Sequence, residues 1–292
     1  MALQPNTVRV AMTYAPINPS DLIPITGAYR QRIGLPTIAG YEGVGLVIEA
    51  PAEFSHLLGQ RVLPLRGEGT WQTVVDCPAT CAVEVPDGIS DLLAARAYIN
   101  PLAALTMLHL WPPKGKVILL TAAGSECAEY LGRWALRQGA ARVLGIYRSE
   151  CRVDRLAECG IEPISILDRH AIHDASVQAN IAFDALGGEI GTAALGHMRH
   201  EAKFVSYGLL SNEPVAIGSE QSSGYHRFHL RDHLPSFLGP AMQNAFAGIW
   251  PRLAETGPLA PRVFGAQYWQ EALEETTRPG GRKSVLDLAE LS

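Results

Sequence analysis

Residues 116–152 read KVILLTAAGSECAEYLGRWALRQGAARVLGIYRSECR, and the rest of the chain can be arranged around this stretch. Val117, Ile118, Leu119 and Leu120 form a short apolar run. It is bounded by the turn-permissive Thr121-Ala122-Ala123-Gly124-Ser125, after which Tyr130, Leu131, Trp134, Ala135 and Leu136 recur at helical spacing. The pattern predicts a buried strand, a tight turn and a helix. A second apolar run, Val143 to Tyr147, closes the unit within the length of a βαβ crossover, which pairs parallel strands with right-handed topology. That is half of a mononucleotide-binding fold.

Small residues at such a turn let the backbone approach a pyrophosphate, and the helix N-terminus offers free N–H groups with a partial positive charge. The common fingerprint is G-x-G-x-x-G/A. Here the turn reads Ala122-Ala123-Gly124-Ser125-Glu126-Cys127-Ala128, with one glycine and an acidic residue inside it. An ordinary βα turn of an α/β protein is the competing reading. At the end of the second strand, where an acidic residue would select an unphosphorylated ribose, stand Tyr147-Arg148-Ser149. The forked donors of Arg148 suit a 2′-phosphate, with Arg152 near enough in sequence to assist. The alternative is a solvated arginine in a loop.

The 292 residues suit two domains, and 47% hydrophobic content can fill a sizeable core. A net charge of −5 gives no broad basic footprint, so nucleic acid is not expected as a partner. Met1-Ala2-Leu3-Gln4-Pro5 lacks a signal or transit pattern, and no stretch approaches the length of a membrane span, which makes the cytoplasm the expected location. Five scattered cysteines (Cys77, Cys81, Cys127, Cys151, Cys159) read as free thiols. Cys77 and Cys81 have no second pair with which to hold a structural zinc ion. The pairs His170/His173 and His197/His200 read as surface residues.

Ahead of this unit, residues 6–14 alternate toward Val8, Val10 and Met12 as a half-buried strand. Ile17-Asn18-Pro19-Ser20-Asp21-Leu22 reads as a turn into a short helix capped by Ser20 or Asp21. The glycine-rich, β-branched segment from Leu35 to Ile48 suits sharply bent strands of a compact barrel. Residues 60–65 and 71–75 continue as short strands. Beyond the second half of the chain's strands, at Asn180–Phe183 and Lys203–Tyr207, the prolines 235, 240, 251, 258 and 261 break periodicity.

Ile17-Asn18-Pro19-Ser20-Asp21, Gly27-Ala28-Tyr29, Leu35-Pro36 and Gly40-Tyr41-Glu42-Gly43-Val44-Gly45 occur in that order. They are followed by Gly69-Thr70-Trp71, Ile99-Asn100-Pro101, Val205-Ser206-Tyr207-Gly208 and Lys283. This ordered set resembles the zinc-independent medium-chain dehydrogenase/reductases, and within them the 2-enoyl thioester reductases of mitochondrial type. The resemblance implies an α/β protein with a GroES-like β-rich catalytic domain made from residues 1–99 and 232–292. A Rossmann domain, a doubly wound parallel sheet that binds NADPH, would occupy residues 100–231. The chain begins at the strand containing Val8, so the opening hairpin of the family is expected to be missing. Tyr41 stands where the thioester reductases generally carry Asn.

The same resemblance implies site residues. Tyr29 would be the catalytic phenol that delivers a proton, or else a loop aromatic covering the barrel. Asn100 would lie by the nicotinamide, Gly124, Ser125, Glu126 and Cys127 by the pyrophosphate, and Arg148 and Ser149 by the adenosine phosphate. Tyr207, Gly208, Leu209 and Leu210 would line the cofactor groove, Phe228, His229 and Leu230 would border the nicotinamide pocket, and Lys283 would close the site or be a surface lysine. Asn18 and Trp71 would shape an acyl pocket or simply pack.

Zinc members of the superfamily use a His in a Gly-His-Glu run. Here Gly40-Tyr41-Glu42 stands in its place and no cysteine cluster exists, so no metal is expected. The implied reaction is NADPH-dependent reduction of the C=C bond of a 2-enoyl thioester or similar α,β-unsaturated carbonyl. Quinone reduction on the same fold is the alternative, and a cofactor-binding protein without turnover is a third reading. A homodimer is expected from the resemblance, with no membrane partner.

Overall fold

In the computed structural model, which describes residues 3–24, 34, 36–67, 69–218, 224–236 and 239–289, the alternation at Val8, Val10 and Met12 becomes the first strand. The strands among the described residues are β1 (Thr7–Pro16), β2 (Val44–Glu49), β3 (Arg61–Pro64), β4 (Val74–Pro78), β5 (Ala82–Glu84), β6 (Val117–Leu120), β7 (Arg142–Tyr147), β8 (Glu162–Ser165), β9 (Ile181–Asp184), β10 (Lys203–Ser206), β11 (Tyr225–Arg227), β12 (Arg262–Gly265) and β13 (Ser284–Asp287). The α-helices are α1 (Pro19–Leu22), α2 (Asp91–Ala94), α3 (Ile99–Leu110), α4 (Glu126–Arg137), α5 (Val153–Glu158), α6 (Arg169–Gln178), α7 (Gly188–His197), α8 (Leu230–His233), α9 (Pro240–Thr256) and α10 (Trp269–Thr277). The chain forms two compact units, Met1–Leu102 with Leu234–Ser292, and Ala103–His233.

The first unit is built on a seven-stranded sheet of order β12-β13-β1-β2-β3-β5, with β4 also paired to β1. β1 is central because it pairs antiparallel with β2, β4 and β13, and so joins strands from both ends of the chain. Its inward positions Val8, Val10 and Met12 are nearly fully buried and pack with Val47, Val62, Val75 and Leu286. Burying one such side chain contributes about 1.5–3 kcal/mol.

Four local expectations are corrected here. Asn18, not Ser20, occupies the cap position of α1, while Asp21 serves the cap by accepting the Asn18 N–H and Pro19 supplies a helical φ at the first helical residue. Within the 35–48 segment only Val44–Glu49 is strand, and residues 36–43 are irregular, turning at Gly40, whose φ is +92°. Residues 71–73 bend, and the next strand starts at Val74. Finally, Pro251 lies inside the 17-residue α9 rather than ending it. Pro240 starts this helix at a tolerated position, and its buried stripe of Met242, Phe246, Ile249, Trp250 and Leu253 outweighs the proline.

The second unit carries a six-stranded parallel sheet of order β11-β10-β9-β6-β7-β8. The chain runs outward from β6 through β7 to β8, then crosses to β9 and runs outward the other way. This is the doubly wound order of a dinucleotide-binding fold, with its switch point between β6 and β9. Leu119, Leu144, Ile146, Ala182 and Phe204 fill one face, backed by α6 and α7 through Ile172, Ala175, Ala194 and Leu195. Of the α4 residues picked out by spacing, Tyr130, Leu131, Trp134 and Ala135 are buried and Leu136 is half-buried.

Candidate functional site

At the switch point the sequence places a hydroxyl and a carboxylate. Thr121, the residue after β6, donates its hydroxyl to Asp184 Oδ1 at 2.7 Å, and Asp184 ends β9. The Thr121 oxygen in turn accepts the backbone N–H of Ala185 at 2.9 Å, while Asp184 Oδ2 accepts that of Gly187 at 3.0 Å. Burial pushes the Asp184 carboxyl above its usual range, and the hydrogen bonds from Thr121 and from the backbone N–H groups of Gly187 and Leu186 oppose that shift. These links clamp the two turns on either side of the crevice. Neither Thr121 nor Asp184 was picked out from sequence, although a Thr and an Asp each ending an apolar run were visible.

The β6–α4 turn is tight. Ala122 takes a left-handed φ of +48°, Ala123 N–H donates to Ile146 O of β7 at 2.9 Å, and Ser125 caps α4 by accepting Ala128 N–H. Gly124 is needed for another reason than left-handed φ. A Cβ there would stand 3.0 Å from Cγ of Arg152, so the glycine lets the arginine stem cross the turn. Glu126 lies in the first helical turn with its carboxylate held by the Tyr130 hydroxyl at 2.8 Å, so what it offers an incoming phosphate is its backbone N–H. Cys127 is buried beside it.

Tyr207, directly after β10, donates its backbone N–H to Asp184 O at 2.8 Å. Its hydroxyl is buried beside the Cys127 and Ser125 side chains and has no hydrogen-bond partner there; burial, then the neighbouring Cys127, holds its pKa well above the usual value for a phenol. An orphaned donor next to a capped helix start is what a phosphate-bearing ligand would satisfy. Gly208 follows, and Leu209 and Leu210 are half exposed. At the end of β7, Arg148 is exposed and, among the described residues, has no ion-pair partner; Ser149 is half-buried. Phe228 is buried against Trp111 and His233, while His229 and Leu230 are partly exposed beside it. The carboxyl ends of β6, β7, β9 and β10 thus gather Gly124, Ser125, Glu126, Cys127, Arg148, Ser149, Tyr207, Gly208, Leu209 and Leu210. These groups fit a dinucleotide: capped N–H donors, an open guanidinium and an unsatisfied hydroxyl.

The first unit holds a separate polar cluster. Asn18 is 2% exposed and Glu42 1% exposed. The Asn18 amide donates to Glu42 Oε1 at 2.7 Å, Lys283 Nζ donates to Asn18 Oδ1, and Glu42 Oε2 accepts the backbone N–H groups of Ile99 (2.7 Å) and Tyr98 (3.1 Å). Glu42 therefore pins the start of α3, in whose first turn Asn100 lies half-buried. Thr70 donates to Glu42 O at 2.8 Å, and the Trp71 indole donates to Pro16 O at 3.3 Å. Both side chains stand against Gly40, where a Cβ would come within 2.4 Å of each. Asp21 accepts Asn18 N–H at 2.7 Å; burial, reinforced by Glu42 and opposed by Lys283, raises its pKa to about 7. The sequence marks neither Glu42 nor Asp21 as a site residue, since Glu42 stands out there only as the neighbour of Tyr41 in the Gly40-Tyr41-Glu42 run. Tyr29 lies outside the described residues. Among the described residues no group of three or more His, Cys, Asp or Glu is placed to hold a metal ion, and the five cysteines are free. Among the described residues no helix is long and apolar enough to cross a membrane.

Comparison with known proteins agrees with this architecture. A model of the alcohol dehydrogenase GroES-like domain matches residues 4–87. A candidate NADPH:quinone reductase from Bacillus thuringiensis superposes with a TM-score of 0.88 at 31% identity, covering 98% of this chain and 92% of that one. A mutant form of enoyl thioester reductase from Candida tropicalis, at 19% identity, shares the fold with a TM-score of 0.78 over 98% of this chain and 92% of that one. The mitochondrial enoyl-[acyl-carrier-protein] reductase of Xenopus tropicalis is 29% identical over 225 residues, 73% of this chain. The match takes in 64% of that relative, so the chain spans less than two thirds of its length. The chain belongs to the medium-chain dehydrogenase/reductase superfamily, among its enoyl reductase and quinone oxidoreductase-like members.

Proposed function

We propose that the protein is an NADPH-dependent oxidoreductase that reduces the C=C bond of 2-enoyl thioesters or similar α,β-unsaturated carbonyls. The observation that carries this reading is the switch-point crevice of the parallel sheet, with a capped helix start, the orphaned Tyr207 hydroxyl and the open Arg148 at its rim. In this reading the backbone N–H groups of Glu126 and Cys127 and the Tyr207 hydroxyl hold the pyrophosphate, and Arg148 with Ser149 holds the 2′-phosphate. NADPH, when bound, supplies a hydride to the β-carbon of the substrate. The electron pair of the C=C bond moves to the carbonyl oxygen, and hydrogen-bond donors stabilise that enolate. Tyr29 delivers a proton to the α-carbon and is replenished from solvent, which completes addition of one hydride and one proton.

A second reading, NADPH:quinone reduction, is supported by the 31% identity to the Bacillus thuringiensis protein. Steady-state oxidation of NADPH in the presence of crotonyl-CoA, and separately of a benzoquinone, divides the two. Turnover with crotonyl-CoA at a kcat/KM well above that for the quinone is expected. The reverse ratio favours the second reading, and NADPH binding with neither turnover leaves a cofactor-binding protein.

A further inference from the structure

Three segments far apart in sequence converge on one ammonium group. Lys283, just before β13, donates to the Asn18 oxygen; the Asn18 NH2 group donates to Glu42; Glu42 is fixed from behind by two backbone N–H groups at the start of α3. A carboxylate can only accept, so it dictates which end of the amide faces it, and the amide oxygen is left for the ammonium. Asn18 and Glu42 are sealed from solvent, whereas Lys283 is half-buried with one of its three donors used on Asn18. The charged groups facing it are Glu42 and Asp21, the latter bound to the Asn18 and Tyr41 backbone. A flexible four-carbon stem is thereby held from a dry side.

We propose that Glu42 and Asn18 are positioning residues for the Lys283 ammonium, Glu42 acting only through the Asn18 amide. This rests on the oxidoreductase reading for what the ammonium serves, but the positioning itself can be read without turnover. Acetic anhydride reacts with an amine nitrogen that it can reach, and the contact with the buried Asn18 oxygen restrains the Lys283 nitrogen from meeting it. The acetylation rate of Lys283, measured by mass spectrometry against Lys114 and Lys116 in the same sample, should rise about tenfold in Asn18→Ala and about threefold in Glu42→Gln. Unchanged Lys283 labelling in a folded Asn18→Ala protein overturns the proposal whatever the protein reduces. With turnover in hand, Glu42→Gln should lower kcat/KM about tenfold in the parent yet within about twofold in a Lys283→Met background, since coupled residues are non-additive. Equal losses in both backgrounds would show that Glu42 acts on the fold and not on Lys283.

Discussion

The two units differ in how their sites are assembled. In the second, every group at the crevice sits at the end of a strand or the start of a helix, so neighbours in space are set by a repeating βα unit. In the first, the polar cluster joins Asn18, Glu42 and Lys283, drawn from a helix cap, an irregular segment and the residue before β13. A site on repeating strand ends tolerates a degenerate turn such as Ala122 to Ala128, because the helix start and parallel sheet still present N–H groups. A site made of three converging buried groups has no such redundancy. Loss of one group leaves the others unsatisfied in a low-dielectric interior.

The contrast can be broken most severely at Tyr29. Tyr29→Phe should lower kcat with crotonyl-CoA by about 10²–10⁴-fold while leaving NADPH affinity and melting temperature near the parent. A loss of only a few-fold would mean that water or another group protonates the enolate. Next comes Glu42→Ala, which strips acceptors from the Asn18 amide and from two backbone N–H groups. It should destabilise the protein by about 3 kcal/mol, read as a lower urea midpoint. A comparable truncation at the other crevice, Ser125→Ala, costs only a helix cap, about 1 kcal/mol. Should the two midpoints fall equally, the claimed difference in redundancy is wrong.

Arg148→Ala should weaken NADPH by about 10–100-fold, the equivalent of 1.5–3 kcal/mol for a hydrogen bond to a charged group, and leave NADH nearly unchanged. Equal losses for both would assign Arg148 to the fold. A further test is a pH slope. Asp21 has an ordinary value of 3.8 and is raised to about 7 in the folded protein. Between those values the unfolded chain has released the proton that the folded chain retains, so stability falls as pH rises through that window, at most by about 1.4 kcal/mol per pH unit. Asp21→Asn should remove this slope. Urea midpoints at pH 5 and pH 7.5 that shift in parallel for parent and variant would contradict the assignment.

The same contrast explains what could be read in advance. The runs 117–120, 143–147 and 203–207 are apolar and short, and period and turn chemistry sufficed to expect the parallel sheet. Helix α9 defeated the proline signal because its buried stripe outweighs Pro251. In the first unit, Glu42 carried no local mark of its partners, since Asn18, Tyr98, Ile99 and Lys283 reach it only through tertiary folding. Thr121 and Asp184 were likewise silent: each ends a strand in sequence, and only the crossover from β8 back to β9 makes them neighbours.

The most direct measurement follows the hydride itself. NADPH carrying deuterium at the transferring position of the nicotinamide, incubated with the protein and crotonyl-CoA in ordinary water, should give butyryl-CoA with one deuterium on the β-carbon and a solvent-derived hydrogen on the α-carbon. Consumption of the labelled cofactor with no deuterium in the thioester, or with deuterium on the α-carbon, would contradict the account.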